Sequence, residues 1–248
     1  ERVRVEKKEQ AEKFNYGKVL KAAVKNRPLI GVMVATIGSM LYITGSNQVR
    51  SYIFKEYYQN TSVMTILSLV SVPIMIICFP LVPKMTAKFG KKNTIMAGVI
   101  SSMVFSLITF IVKIPNVYVY CALTVLAMIG QTAFTMLIWA LVTDCLDYSE
   151  WKLNERSDGS MYSLYTFSRK IGSTIASAGI SFALGAIGYV SGNNITQSAE
   201  TINGIYNVVN VLPVVTCVLQ LIGIGLIFNL DQKTTEQMYR ELKERREN

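Results

Sequence analysis

Six stretches of the chain are long, apolar and nearly free of charge, and nothing else in the sequence constrains the fold as strongly. They run over residues 29–47, 63–82, 94–112, 117–143, 160–190 and 205–230. A helix needs about 20 mainly apolar residues to cross the hydrocarbon core of a bilayer. A soluble all-α protein can bury one or two such stretches. Six in succession predict an all-α integral membrane protein. The composition agrees: 17% of the 248 residues are charged, against about 25% in an ordinary soluble domain. The 160–190 stretch is the least apolar, because it contains Arg169 and Lys170.

The flanks give the organisation. Residues 1–28 read as a cytoplasmic segment in which 15–27 form a short amphipathic helix. Tyr16, Val19, Leu20, Ala23 and Val24 fall on one face of it, and Pro28 suits the first turn of the helix that follows. A polar segment of this length before the first apolar stretch is not the pattern of a signal peptide. Residues 29–230 form the six-span bundle, and 231–248 read as a cytoplasmic tail.

Basic residues set the expected orientation. Of 25 Lys and Arg, 20 fall in the N-terminal segment, the loop after the second span, the loop after the fourth and the C-terminal tail. Arg50, Lys55 and Lys113 fall on the other side. Cytoplasmic loops are enriched in Lys and Arg, so both termini are expected in the cytoplasm of a cell whose inner membrane holds the protein. The net charge of +9 is therefore a topology signal, and no nucleic-acid partner is expected. The loop containing Lys84, Lys88, Lys91 and Lys92 suits anionic lipid head groups, or serves as a topology signal with a tight turn at Gly90.

Several chemistries are disfavoured at once. Histidine is absent, which removes the commonest metal ligand and proton shuttle. Cys78, Cys121, Cys145 and Cys217 lack any paired metal-binding spacing. No metal site, cofactor or nucleophile–base constellation is expected, so the chain does not read as an enzyme.

Polar residues inside the spans are the candidates for function. Ser163, Thr166, Lys170, Ser173 and Ser177 recur at helical spacing and form a stripe on the fifth span. A charge deep in a bilayer is costly and usually faces a bundle interior or an aqueous cavity. Lys170 therefore pairs with a carboxylate or a polar solute, unless the helix begins near Arg169 and both charges lie at the interface. Gly172, Ala176, Gly179, Gly185 and Gly188 on the same stretch permit close helix packing.

On the fourth span Gln131, Thr135 and Trp139 repeat every four residues. Trp139 joins Tyr162 and Tyr165 as aromatic surface of the kind against which sugar rings stack. At the end of that span Asp144 and Asp147 share a face near Arg156, as an ionic lock on the rim or as a solvated loop. Asn47, Gln48 and Arg50 close the first span, and Pro73, Pro80 and Pro83 are expected to bend or end the second.

One family carries this pattern. Asp144, Asp147, Tyr148, Glu150, Lys152, Arg156, Asp158, Gly159, Tyr162 and Ser163, followed by Phe167, Arg169, Lys170 and Gly172, stand as in the signature of the glycoside-pentoside-hexuronide:cation symporters. That is the family of the melibiose carrier. The basic loop ending Lys88, Phe89, Gly90, Lys91 and Lys92 also resembles that family's loop, and the resemblance spans residues 14–229. It implies the C-terminal six-helix half of a twelve-helix major facilitator fold, with the N-terminal six-helix half and membrane lipids as partners.

The implied function is secondary active transport of a sugar or glycoside coupled to a cation, Na+ or H+, by alternating access. Lys170 is implied beside the cation site. Thr166, Tyr165, Thr135, Trp139 and Gln131 are implied at the substrate cavity, and Asp144, Asp147 and Arg156 at a cytoplasmic gate. The alternatives are transport of another solute, such as a lysolipid or organic anion, and a channel or scaffold bundle.

Overall fold

The computed structural model describes residues 25–154, 158–192 and 195–247, and these are helical almost throughout. Helix α1 (Arg27–Tyr52) continues through a π-helical turn (Ile53–Tyr57). It is followed by α2 (Ser62–Phe89), α3 (Lys91–Val112), α4 (Val117–Leu153) and α5 (Asp158–Ala186). Helix α6 (Ala199–Leu221) also continues through a π-helical turn (Ile222–Ile227), and α7 (Gln232–Glu247) closes the described chain. The expected 15–27 helix falls mostly outside the described residues.

Local sequence explains the boundaries. Asn26 caps α1, its side-chain oxygen accepting from the Leu29 amide at 3.0 Å, with Pro28 in the first turn. Asn116 caps α4 and Ser198 caps α6 in the same way. Such oxygens satisfy amides that have no partner within the helix. Gly90, at φ 81°, separates α2 from α3, a conformation that costs glycine little.

Helix α2 runs unbroken through Pro73, Pro80 and Pro83. Of the expectation that these prolines bend or end the span, ending is corrected, in keeping with the tolerance of transmembrane helices for proline. Among the described residues five helices are both long and apolar enough to cross a membrane. The exception is α5, whose 29 residues would reach about 43 Å but are too polar to qualify. The sixth expected span, 160–190, is thus a long helix that is less apolar than the others, as its Arg169 and Lys170 lead one to expect.

Helix α1 packs most extensively on α5 and α6, α3 packs on α4 and α6, and α2 lies against α4. Glycines allow the closest approaches. A Cβ on Gly31 of α1 would stand 2.7 Å from the Gly223 carbonyl oxygen, and one on Gly223 would stand 2.6 Å from that of Gly31. Gly98 and Gly130 form an equivalent pair between α3 and α4. Gly172 of α5 abuts Ile37 and Met40 of α1, whereas open space surrounds Gly179 and Gly185. The small residues of α5 thus serve close packing at Gly172 and the buried Ala176, but not along the whole helix.

Two apolar cores stack along the bundle. One joins Leu29, Val32, Ile95, Leu141 and Phe228 near the Arg27 end. The other joins Phe54, Tyr120, Ile205 and Tyr206 near the opposite end. There the Tyr206 hydroxyl donates to the Thr109 carbonyl at 2.7 Å and accepts from the Ile114 amide at 2.9 Å. The Tyr58 hydroxyl donates to the Ile114 carbonyl at 2.7 Å. Buried tyrosines thereby satisfy the backbone of the α3–α4 turn, which would otherwise be costly to bury.

Candidate functional site: a polar cavity and a charged rim

Tyr42, Ser46 and Arg50 succeed one another at intervals of four on α1, as do Gln131 and Thr135 on α4. Each set therefore occupies one helix face. The two faces and α2 enclose a cavity of about 350 Å³ to which Ser71 also contributes. That volume lies at the small end of the range for ligand sites.

The polar groups around the cavity are incompletely used. Ser46 Oγ and Gln131 Oε1 are buried without a hydrogen-bond partner among the described residues. Gln131 Nε2 donates to Cys217 Sγ at 3.4 Å, and the Thr135 hydroxyl donates to the Gln131 carbonyl at 3.1 Å. A buried polar atom without a partner costs stability, and these two lie beneath the cavity wall; the side chains of Asn47, Ser71, Thr132 and Thr135 are the polar groups that line it beside Arg50.

Thr135 also lines a smaller recess of about 50 Å³, with Ser39, Trp139, Tyr165 and Arg169. The Trp139 ring stacks on Tyr162 at 5.7 Å between centroids and meets Tyr165 nearly edge-on at 5.0 Å. The Arg169 guanidinium lies 6.0 Å from the Trp139 ring centre, within reach of a cation–π contact. Tyr165 is buried and supports Trp139 from beneath, while Trp139 remains 42% exposed and so free to receive a partner on its ring. Gln131, Thr135, Trp139 and Tyr165 thus come together in the structure.

Thr166 and Lys170 lie on a neighbouring face of α5. Thr166 is half-buried, and Lys170 is exposed with no hydrogen bond or ion pair from its ammonium group to another described residue. Helix α5 begins at Asp158, well before Arg169. The reading in which the helix starts at the charges themselves is therefore corrected, and Lys170 projects from mid-helix.

At the Arg27 end the charges form a network. Asp144 is 1% exposed, and both of its carboxylate oxygens accept from Lys91 Nζ, at 2.7 and 2.9 Å. The Tyr239 hydroxyl donates to the same carboxylate. Asp147 lies 3.8 Å from Arg246, which also pairs with Glu150 at 2.6 Å. Arg156, expected in this gate, lies outside the described residues.

Helix α7 closes the rim. Met238 and Leu242 bury themselves against Trp151, whose indole donates to Glu241 at 2.6 Å. That bond and one from Gln237 hold the Glu241 carboxyl below its ordinary range. Burial and the neighbouring Asp144 carboxylate push the Tyr239 phenol up. Residues 232–247 are therefore a docked helix.

Lys91, Tyr239 and Arg246 were missed by sequence reasoning as partners of the acidic pair, and Arg50 as a cavity residue. Lys91 was visible only as a member of the basic loop. Lys92 bonds the Phe228 carbonyl at 2.6 Å, and Arg27 bonds the Leu226 and Ile227 carbonyls, each at 3.1 Å. These cations satisfy carbonyls left free where α6 ends. The expected basic loop is corrected to a break at Gly90 alone: Lys84 and Lys88 lie in the last turns of α2, both exposed, and Lys91 and Lys92 open α3. Among the described residues no group of His, Cys, Asp and Glu is arranged to hold a metal ion.

A multi-pass helical bundle with a polar cavity between helices and a charged rim has the construction of a solute transporter. The chain belongs to the family described as MFS/sugar transport protein, which matches residues 1–232. That is a class of non-catalytic transporters, and the protein is not an enzyme. The chain is 30% identical over 234 residues to the uncharacterized symporter YjmB of Bacillus subtilis, covering 94% of this chain and 50% of the relative. It is 30% identical to the glucuronide carrier protein homolog of Escherichia coli, covering 92% and 49%. It is 27% identical to the putative sulfoquinovose importer of Escherichia coli, covering 91% and 48%. The chain spans about half the length of the curated relatives it matches.

Proposed function

We propose that the chain forms the C-terminal six-helix half of a glycoside-pentoside-hexuronide:cation symporter. In this reading it carries a sugar or glycoside across the inner membrane with Na+ or H+ as the coupled cation. The observation that carries the reading is the alignment of Gln131, Thr135 and Trp139 along α4, where Gln131 and Thr135 line a polar cavity and Trp139 leaves its indole exposed. Sugars offer hydroxyls to such groups and apolar ring faces to an exposed indole. A resemblance to symporters and the names of the relatives support it.

The mechanism is alternating access, in which two halves rock about a site near the membrane midplane. Thr135, Gln131, Thr166 and the Tyr165-supported Trp139 bind the glycoside. Lys170 faces the N-terminal half and pairs with a carboxylate there, close to the coupling cation. Asp144, Asp147 and Arg156 form the cytoplasmic gate, with Lys91 and Tyr239 holding Asp144 in place. Both termini face the cytoplasm, with residues 1–28 and 231–248 flanking the 29–230 bundle. Binding drives the transition only by favouring one state over the other.

Counterflow in proteoliposomes tests the carrier reading. With the full-length protein and unlabelled glycoside inside, labelled glycoside should accumulate transiently and saturably. A linear flux that never overshoots would identify a channel and overturn it.

A further inference from the structure

Arg50 is the cation of the α1–α2–α4 cavity, and nothing acidic lines that cavity with it. It also borders a second small recess, lined by Ser106, Thr109, Thr124 and Asn210, which is equally free of acidic residues. Its one side-chain hydrogen bond among the described residues is a long one, 3.5 Å to the Asn47 side-chain oxygen. Arg50 is half-buried, and an ionised group inside a membrane bundle is costly unless something pairs with it.

A guanidinium presents a planar fork of donors that matches a carboxylate or sulfonate in two parallel hydrogen bonds. Along the same cavity stand the hydroxyl side chains of Ser71, Thr132 and Thr135. The polarity is therefore graded, with one anion-binding end and one end that suits hydroxyls.

We infer that this cavity is an anion subsite, in which Arg50 binds the carboxylate or sulfonate of an acidic sugar while Ser71, Thr132 and Thr135 meet its hydroxyls. The inference deepens the transport reading by naming the substrate class as anionic glycosides, and it rests on that reading for its physiological sense. Arg50 is a specificity-determining residue here.

Calorimetric binding to the full-length protein, with methyl glucuronide, a methyl glycoside of a 6-sulfonated hexose and methyl glucoside as matched probes, tests it. The acidic probes should bind at least about tenfold more tightly than the neutral one, the scale of a charge-assisted hydrogen bond. Whichever acidic probe binds better identifies the preferred anion. Arg50→Gln should abolish that preference and leave neutral binding within about threefold, and Arg50→Lys should retain part of it. Unfolding temperatures near that of the parent confirm that the variants fold.

Equal binding of all probes, no binding of any, or equal loss of acidic and neutral binding in Arg50→Gln would overturn the subsite. The last result is expected if Arg50 instead pairs with an acid of the N-terminal half. Saturable counterflow of neutral glycosides without anion preference would sink the subsite alone. Absence of counterflow with Arg50-dependent anion binding intact would sink the transport reading alone.

Discussion

Lys91 and Asp144 join the start of α3 to α4 through a two-point ion pair, with Nζ at 2.7 and 2.9 Å from the two carboxylate oxygens. The Asp144 side chain is 2% exposed and that of Lys91 28%. Removing one partner of a buried pair strands the other, at a cost of roughly 3 kcal/mol or more when both are fully buried. Asp144→Ala should therefore cost about 2–3 kcal/mol, less than the full penalty because water reaches Lys91. Lys91→Met combined with Asp144→Leu should recover most of that loss. Unfolding of the detergent-solubilised carrier checks both.

The docking of α7 depends on two buried side chains, Met238 and Leu242. Truncating a buried Leu or Met to Ala commonly costs about 2–5 kcal/mol. Met238→Ala should accordingly free α7 while leaving the bundle folded. Limited proteolysis should then cut within 232–247 at protease levels that leave the parent intact.

Docking should also depend on pH. The Glu241 carboxyl is held below its ordinary value of 4.5 by the Trp151 and Gln237 hydrogen bonds. Asp231, which caps α7 through the Thr234 amide at 2.8 Å, is lowered as well. A carboxyl lowered by folding stabilises the fold above its unfolded value, and that contribution is lost as pH falls through the lowered one. In a background where every tryptophan except Trp151 is replaced by phenylalanine, Trp151 fluorescence should stay constant from about pH 8 to 5 and change below about pH 4. Glu241→Gln should reduce the change.

Glycine packing gives a contrast within one protein. A Cβ on Gly130 would collide with the Gly98 carbonyl, while one on Gly179 meets nothing within 4 Å. Gly130→Ala should destabilise by about 1–3 kcal/mol, the usual cost of overpacking. Gly179→Ala should be neutral or slightly stabilising, since alanine is the better helix former. Thermal unfolding of the two variants side by side decides it.

The helices were legible because their signal is local. An apolar run of sufficient length, a first-turn proline and a glycine stop are all read within a few residues of each other, as at Pro28 in α1 and Gly90 after α2. The Gln131–Thr135–Trp139 face was legible for the same reason, since helical spacing fixes which side chains share a side. The partners of Asp144 were not, because Lys91 and Tyr239 come from distant helices and only the packing of α3, α4 and α7 joins them. Arg50 was read with Asn47 and Gln48 as closing the first span, on the side opposite the termini. The helix runs on to Tyr52, which turns Arg50 into a wall residue of the cavity.

Uptake driven by an imposed cation gradient addresses the central claim most directly. Full-length protein in proteoliposomes should accumulate glycoside above its outside concentration when an inward Na+ or H+ gradient is imposed, with saturation in both glycoside and cation. Lys170→Ala should uncouple uptake from the gradient. Uptake that only equilibrates and ignores both gradients would contradict the account.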